Sequence, residues 1–379
     1  MRLAAGLWLC LLAACKSNTR PNHPDCVEER DWGPVGTVPF RVQVVARGLE
    51  GPRGLAFLPD GDFLISERPG RVRVFHAGAL LAQSLIMSSA QQGDLLGIAV
   101  DPRFKDNRRF YVYRSIPTGG GRMDRVERWN LWPELTQATF EAGVLDDIPG
   151  ALLRQGGRLR FDRDGNLYVG TGDAARPELA QQPYSFAGKI LRVTPSGNVP
   201  PGNPVPNSPT FVLGLRDVAG FDWYQNKTLV VADNGPSSGV DPAGEDEVSV
   251  ARGGDNLGWP IMHACRIKSG LRTPAVAWRI PMNMGGAAFY TGSAIREWRG
   301  SLLIATLSGR HLHRVMFAPY DPERVVGQEV YLRGDRPTGY GRLREVTMGA
   351  DGDMYVTTDN CDDGGVCPPE KDVVLRLTR

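Results

Sequence analysis

The stretch LLRQGGRLRFDRDGNLYVGTGD, residues 152–173, sets Arg154 just before a glycine pair and ends, after two apolar alternations, on Asp173. A loop that takes a proton from a substrate hydroxyl needs a group that titrates near neutral pH, and imidazole is the usual choice. A guanidinium holds its proton throughout that range. Arg154 would instead form a charge-assisted pair with Asp173, or bind a carboxylate or phosphate of a ligand. The chain has five histidines, His23, His76, His263, His311 and His313, and none between residues 77 and 262. His311 and His313 read as partly exposed strand residues, or as groups that enter a central site from another side.

Other chemistries find less support. There is no nucleophile-elbow motif, and the Gly-Gly-Gly-Arg run ending at Arg122 lacks the Lys-Ser/Thr of a phosphate loop. The net charge of +2 over 379 residues gives no case for nucleic acid or an anionic membrane as partner.

The elements that must position these residues repeat along the chain. An apolar alternation, a turn that often holds Asp-Gly, and a second alternation recur at 54–67, 97–115, 157–173, 220–234, 286–307 and 345–360. Each reads as a β-hairpin. Successive starts lie 43, 60, 63, 66 and 59 residues apart, room for about four strands each. Six such units predict an all-β, six-bladed β-propeller over residues 37–379. A β-sandwich would place its turns more densely. Pro- and Gly-rich stretches such as 197–209 read as surface loops.

The N-terminus follows a different logic. Residues 1–14 carry an early arginine and an apolar run too short to span a bilayer, which reads as a signal peptide. Leu12-Ala13-Ala14-Cys15 resembles a bacterial lipobox, with Cys15 lipidated; an ordinary signal cleaved nearby is the alternative. The polar residues 15–36 then read as a tether, and the protein as exported and facing the periplasm or the outside, touching membrane only through the lipid. Setting aside Cys10 and Cys15, four cysteines remain, an even number that suits an oxidising compartment. Cys361 and Cys367 flank a short loop and read as one disulfide, with Cys26 and Cys265 as a second; no CxxC or paired-histidine pattern supports zinc.

Several blocks together, GLAFLPDGDFLISERPGRVRVF, DLLGIAVDPRFKDNRRFYVY, GGRLRFDRDGNLYVGTGD, GKILRVTPSGNVPPGNP and GGDNLGWP, resemble the soluble aldose sugar (glucose/sorbosone) dehydrogenases over about residues 40–378. The resemblance implies a six-bladed propeller that uses pyrroloquinoline quinone (PQQ) and calcium to oxidise a sugar hydroxyl, passing electrons to an external acceptor. It implies that Arg216, Arg342 and Arg344 bind the cofactor's carboxylates. Alternation puts the last two on one face of an extended segment. Ser308 stands where the family has a lysine, and Arg310 lies close enough to serve instead. The family's Gly-Pro carbonyls fall on Gly235 and Pro236, with Asn234 able to add an amide oxygen and Asp246 and Glu247 able to organise the loop or hold a second ion. The segment Asn-Gly-Pro is also a strong turn signal in its own right.

Gln92 falls where the family has a glutamine near substrate, Asp173 where it has a carboxylate beside its base, and Trp259 where a ring could wall the site. The base itself is a histidine in the family and Arg154 here. Asp217 and Ala219 also replace an asparagine and a glutamine. These departures leave three readings: a PQQ-dependent sugar dehydrogenase with a weak or unusual base, a non-catalytic propeller that binds a sugar, anion or protein, and a calcium-dependent lactonase-like hydrolase.

Overall fold

Period-two alternation, with glycine at the head of five of the six repeats, makes strands whose two faces are both covered, and turns, several of them Asp-Gly, fold them back on themselves. A computed structural model describes residues 25–87, 92–236, 245–335, 339–361 and 367–379. It holds six small antiparallel sheets arranged as a six-bladed β-propeller, as the sequence predicts. The first blade runs Pro52–Phe57, Phe63–Glu67, Arg71–His76 and Ala79–Leu80. The second runs Asp94–Val100, Arg109–Thr118, Gly121–Leu131 and Ala138–Gly150. Blade three is Gly156–Phe161, Leu167–Thr171, Lys189–Val193 and Thr210–Leu213. Blade four is Val218–Tyr224, Thr228–Asp233, Asp246–Ala251 and Val276–Trp278. Blade five is Met284–Phe289, Leu302–Thr306, Leu312–Ala318 and Asp321–Tyr331.

The sixth blade begins with Leu343–Met348, Met354–Thr358 and Val374–Thr378, and takes its outer strand, Arg41–Ala46, from the other end of the chain. This pairing joins the two ends of the propeller and closes the ring. The innermost strand of each blade touches that of the next, the sixth meeting the first. Close approach explains the glycine repeats: a Cβ on Gly97 would lie 2.2 Å from the Gly157 carbonyl oxygen, and one on Gly220 2.4 Å from the Ala287 nitrogen.

The core consists of six seams between adjacent blades. Phe110, Val112, Leu64 and Val74 fill the first. Trp278, Phe289, Val230 and Val248 fill the one between blades four and five. Trp298, Tyr290, Leu343 and Leu375 fill the one between blades five and six, and Val374 joins Phe63 and Ile65 where the sixth blade meets the first.

Residues 25–36, the distal part of the expected tether, run along the body. Val27–Glu29 adds a parallel strand to blade four, Trp32 Nε1 donates to the Ile280 carbonyl at 3.1 Å, and Gly36 N–H donates to the Val330 carbonyl at 2.9 Å. Cys26 is bonded to Cys265, and Cys361 to Cys367, the two pairings read from the sequence. Signal segment 1–14, Cys15 and residues 16–24 lie outside the described residues.

Candidate functional site

All the singled-out residues fall at one end of the propeller, where inner strands begin and second strands end. Arg154 precedes the inner strand of blade three, and Asp173 follows its second strand. The Arg154 backbone is left-handed (φ +61°), and its carbonyl sits against Gly172, where a Cβ would lie 1.7 Å away. Its guanidinium stands 3.8 Å from Asp173 Oδ2, close enough for attraction and too far for a hydrogen bond.

Asp173 is fully buried and already satisfied. Trp259 Nε1 donates to Oδ2 at 2.9 Å and the Ala175 N–H to Oδ1 at 2.8 Å. Burial raises its carboxyl above the ordinary range, against the opposing pull of Trp259 and Arg154.

The Arg216 carbonyl accepts from the Asp173 N–H at 2.8 Å, and its guanidinium lies 5.5 Å from the Trp259 ring centroid. Burial, and then the neighbouring Arg154, push it below the usual arginine range. Arg216 Nη1 donates to the carbonyls of Asn234, at 3.2 Å, and of Gly235. These carbonyls therefore face a position already taken by positive charge. Asn234 is pinned by reciprocal bonds with Met284, 3.1 and 2.7 Å long. Asp246 holds the turn from behind, accepting from the N–H groups of Gly235, Met282 and Asn283 at 3.0, 2.7 and 3.0 Å. Three buried carboxylates collect here. Burial raises Asp246, brings Asp233 to about 7 and brings Glu247 to about 8. Carbonyl and carboxylate oxygens are the hard donors that calcium takes, and a calcium ion at this turn would stand where the Arg216 guanidinium stands now.

A second group of cations stands across the mouth. Arg344 Nε donates to Asp359 Oδ2 at 2.8 Å, and Arg53 Nη1 lies 3.8 Å from the same oxygen. Burial, and then Arg344, bring Arg53 down to about 9. The Nε atom of Arg53 is buried without a hydrogen-bond partner. An orphaned cationic donor in a channel fits a polyanionic ligand such as PQQ.

The structure separates some of the predicted residues. Between Leu343 and Glu345 the pairing register shifts, so strict alternation breaks at Arg344. Arg342 lines a neighbouring cleft of about 410 Å³ together with Arg310, which is half-exposed and paired with Asp335 at 2.6 Å. Ser308 and Gln92 are exposed, with the Gln92 carbonyl accepting from Arg114 at 3.4 Å.

The reading of His311 and His313 as partly exposed, or as entering the central site, is corrected: both are fully buried. His313 sits on the third strand of blade five and His311 just before it, away from the inner ring, against Trp278 and Trp32. His263 drew no role from the sequence. It pairs with Glu245 beside Trp259, and its Nε2 is 3.2 Å from Arg266 Nη1. Arg53 and Arg158 were missed as well, although each stands on an inner strand where alternation would place it inward.

A cavity of about 660 Å³ opens at the other end of the channel. Of the arginines that line it, Arg158 pairs with Glu345 and Arg160 donates to the carbonyls of Ala287 and Val346. Among the described residues, clustered guanidinium groups and the carbonyl turn meet only at the first mouth, and this mouth is taken as the functional site.

The fold is a six-bladed β-propeller with arginines and a carbonyl turn at one mouth. The sequence pattern described as Glucose / Sorbosone dehydrogenase matches residues 49–367, and the chain belongs to that family. Among solved structures, it is similar to the PQQ-bound aldose sugar dehydrogenase of Streptomyces coelicolor, at 30% identity and a TM-score of 0.76, covering 90% of this chain and 99% of that one. A Thermus thermophilus oxidoreductase designated a glucose dehydrogenase matches at 38% identity and a TM-score of 0.79, over 89% of this chain and 100% of that one. Aldose sugar dehydrogenase of Escherichia coli is 28% identical across 88% of this chain and 93% of its own length.

Proposed function

We propose that this chain is a calcium- and PQQ-dependent aldose dehydrogenase that oxidises a sugar hydroxyl. The observation that carries the reading is the meeting of Arg216 and Arg344 with a carbonyl turn at one channel mouth, Arg53 adding a further cation. Arg216 and Arg344 would hold the cofactor's carboxylates, with Arg342 and Arg310 in the adjoining cleft at the edge. Asn234, Gly235 and Pro236 would hold calcium, with Asp246 fixing their turn. When bound, the quinone supplies the two-electron acceptor.

The chain's own residues supply binding and the proton path. Trp259 walls the sugar site and fixes Asp173, and Gln92 lies at the rim of the neighbouring blade. With Arg154 unable to take a proton, Asp173 is the carboxylate beside it that receives the hydroxyl proton. A buried, doubly hydrogen-bonded carboxylate is a poor substitute for a poised histidine, so turnover is slow. Two disulfides support residence in an oxidising compartment, with a lipid anchor at Cys15 and an external electron acceptor completing the reading.

The test is uptake of PQQ by the purified protein with calcium, then loss of the oxidised-quinone absorbance on adding aldoses. Failure to take up PQQ overturns the reading. Uptake without reduction by any sugar favours the second reading, a propeller that binds sugar without oxidising it, for which Arg154 in place of a base is the specific observation.

A further inference from the structure

Arg154 is held in a way that a purely structural partner of Asp173 would not need. Its main chain is fixed: the left-handed backbone, the carbonyl pressed against Gly172, and a bond from the Ala174 N–H at 3.3 Å leave it no latitude. A non-glycine residue in this conformation carries strain, a cost that tends to persist where a side chain has work to do. Next to it, Gln155 Nε2 donates to Ser115 Oγ at 2.7 Å, which secures the other side of the loop.

The head of the side chain is unspent. Asp173 already has Trp259 and Ala175 as donors, and at 3.8 Å it accepts no hydrogen bond from Arg154. No other hydrogen bond from the Arg154 guanidinium occurs among the described residues. The side chain is 23% exposed and so partly open to solvent. Arg216 is close enough to repel Arg154, and it has Asp217 and Asp233 as well as Asp173 to answer its own charge. A planar, forked cation with unspent donors at a partly open position is a receptor for a carboxylate or phosphate.

We infer that Arg154 receives the anionic group of the substrate, so that this chain acts on sugar acids, aldoses bearing a carboxylate or a phosphate, in preference to neutral sugars. The inference rests on the dehydrogenase reading above for its substrate class. It turns the missing base into a change of specificity: the position that would take a proton takes a charge.

The experiment measures binding by calorimetry for glucuronate, galacturonate and glucose 6-phosphate against glucose and galactose. It uses the full mature protein both without cofactor and loaded with PQQ and calcium. Wild-type protein is expected to bind the acids at least roughly tenfold more tightly, with the margin shrinking as salt rises from about 20 to about 500 mM. The uronates and the sugar phosphate separate the two sources of charge. Arg154→Gln brings the affinity for the acids down to that for neutral sugars, and Arg154→Lys keeps part of the margin; the melting temperature of each variant reports that it is folded. Equal affinity of the wild type for glucuronate, glucose 6-phosphate and glucose overturns the inference, as does a preference that survives Arg154→Gln. If PQQ is bound and neutral aldoses reduce it as well as the acids do, the inference falls and the dehydrogenase reading stands. If PQQ is not bound but Arg154-dependent binding of the acids is seen, the reading falls and the receptor stands.

Discussion

Arg344 donates from Nε to Asp359 Oδ2 at 2.8 Å, and Asp359 has no exposed surface. Arg53 leans on the same oxygen from blade one. Burial alone would raise the carboxyl, but Arg344 and then Arg53 outweigh it and hold Asp359 down to about 2. With the folded value below the unfolded one, the pair contributes its stability above about pH 4 and loses it between about pH 4 and 2, on the order of 2 kcal/mol in all. Asp359→Asn leaves two buried guanidinium groups without their counterion and costs about 3 kcal/mol at neutral pH. Urea unfolding at neutral pH and near pH 3 measures both: the wild type loses stability on acidification, and the variant loses less.

The buried histidine pair sets a second acid limit. His311 Nε2 lies 3.1 Å from His313 Nδ1, and His311 Nδ1 is 2.8 Å from the Gly309 carbonyl. Burial lowers His311 to about 4 and His313 well below its ordinary range; Arg333 presses His311 down further, and His311 does the same to His313. Both stay neutral in the fold and charge on unfolding. Their stability is present above about pH 6.5 and is lost as pH falls toward 4, about 3 kcal/mol for His311. The melting temperature should fall between about pH 7 and pH 5, and His311→Gln should flatten that slope.

Much of the fold is legible in local pattern. Each of the six hairpins forms the two inner strands of a blade, because alternation and a turn, Asp-Gly in three of the six, are local instructions. Closure of the ring is not local. Nothing around Arg41–Ala46 shows that it pairs with Val374–Thr378 at the other end of the chain. At the site, Arg154 and Asp173 can be paired from sequence because they bracket one hairpin. Arg53 and Asp359 cannot, since they meet only after the first and sixth blades close on each other. The histidines fail for a related reason: alternation assigns a face to a residue but does not say whether the arm from residue 25 will cover it.

Calcium should depend on a residue that need not touch it. Asp246 accepts three backbone N–H groups and so fixes the Asn234–Pro236 turn. Asp246→Asn should weaken calcium binding about 10- to 100-fold, as the loss of an orienting partner does elsewhere. Chelation of wild-type protein should release PQQ, and added calcium should restore uptake. Calcium titrations followed by PQQ absorbance check both; uptake of PQQ unaffected by chelation would remove calcium from the reading.

Lys189 supports the wall of the site from within. Its amine is fully buried and donates to the carbonyls of Leu179, Ala180 and Ala187 at 2.9, 2.9 and 2.6 Å, and burial lowers it to about 7. The loop it gathers carries Gln181, whose Nε2 donates to the Trp259 carbonyl at 2.6 Å. Lys189→Met leaves three carbonyls without their donor and should cost about 3 kcal/mol. Because Trp259 loses its support, sugar affinity should fall more than calcium affinity, a split that calorimetry on the folded variant resolves.

Arg154→His tests the assignment of the missing base directly. A histidine at 154 sits beside Asp173, which can orient its ring and stabilise its charged form as Arg154 is stabilised now. A poised general base is worth about 10² to 10⁴ in rate, so kcat for neutral aldoses should rise by at least roughly tenfold with PQQ and calcium bound. The pH profile should gain a rising limb near the ordinary histidine range, because only the neutral imidazole accepts the proton. The same substitution removes the free guanidinium, so any preference for sugar acids should fall as the rate on neutral sugars climbs. A variant that takes up PQQ and gains neither rate nor the new limb would show that proton acceptance at this position is not what limits the chain.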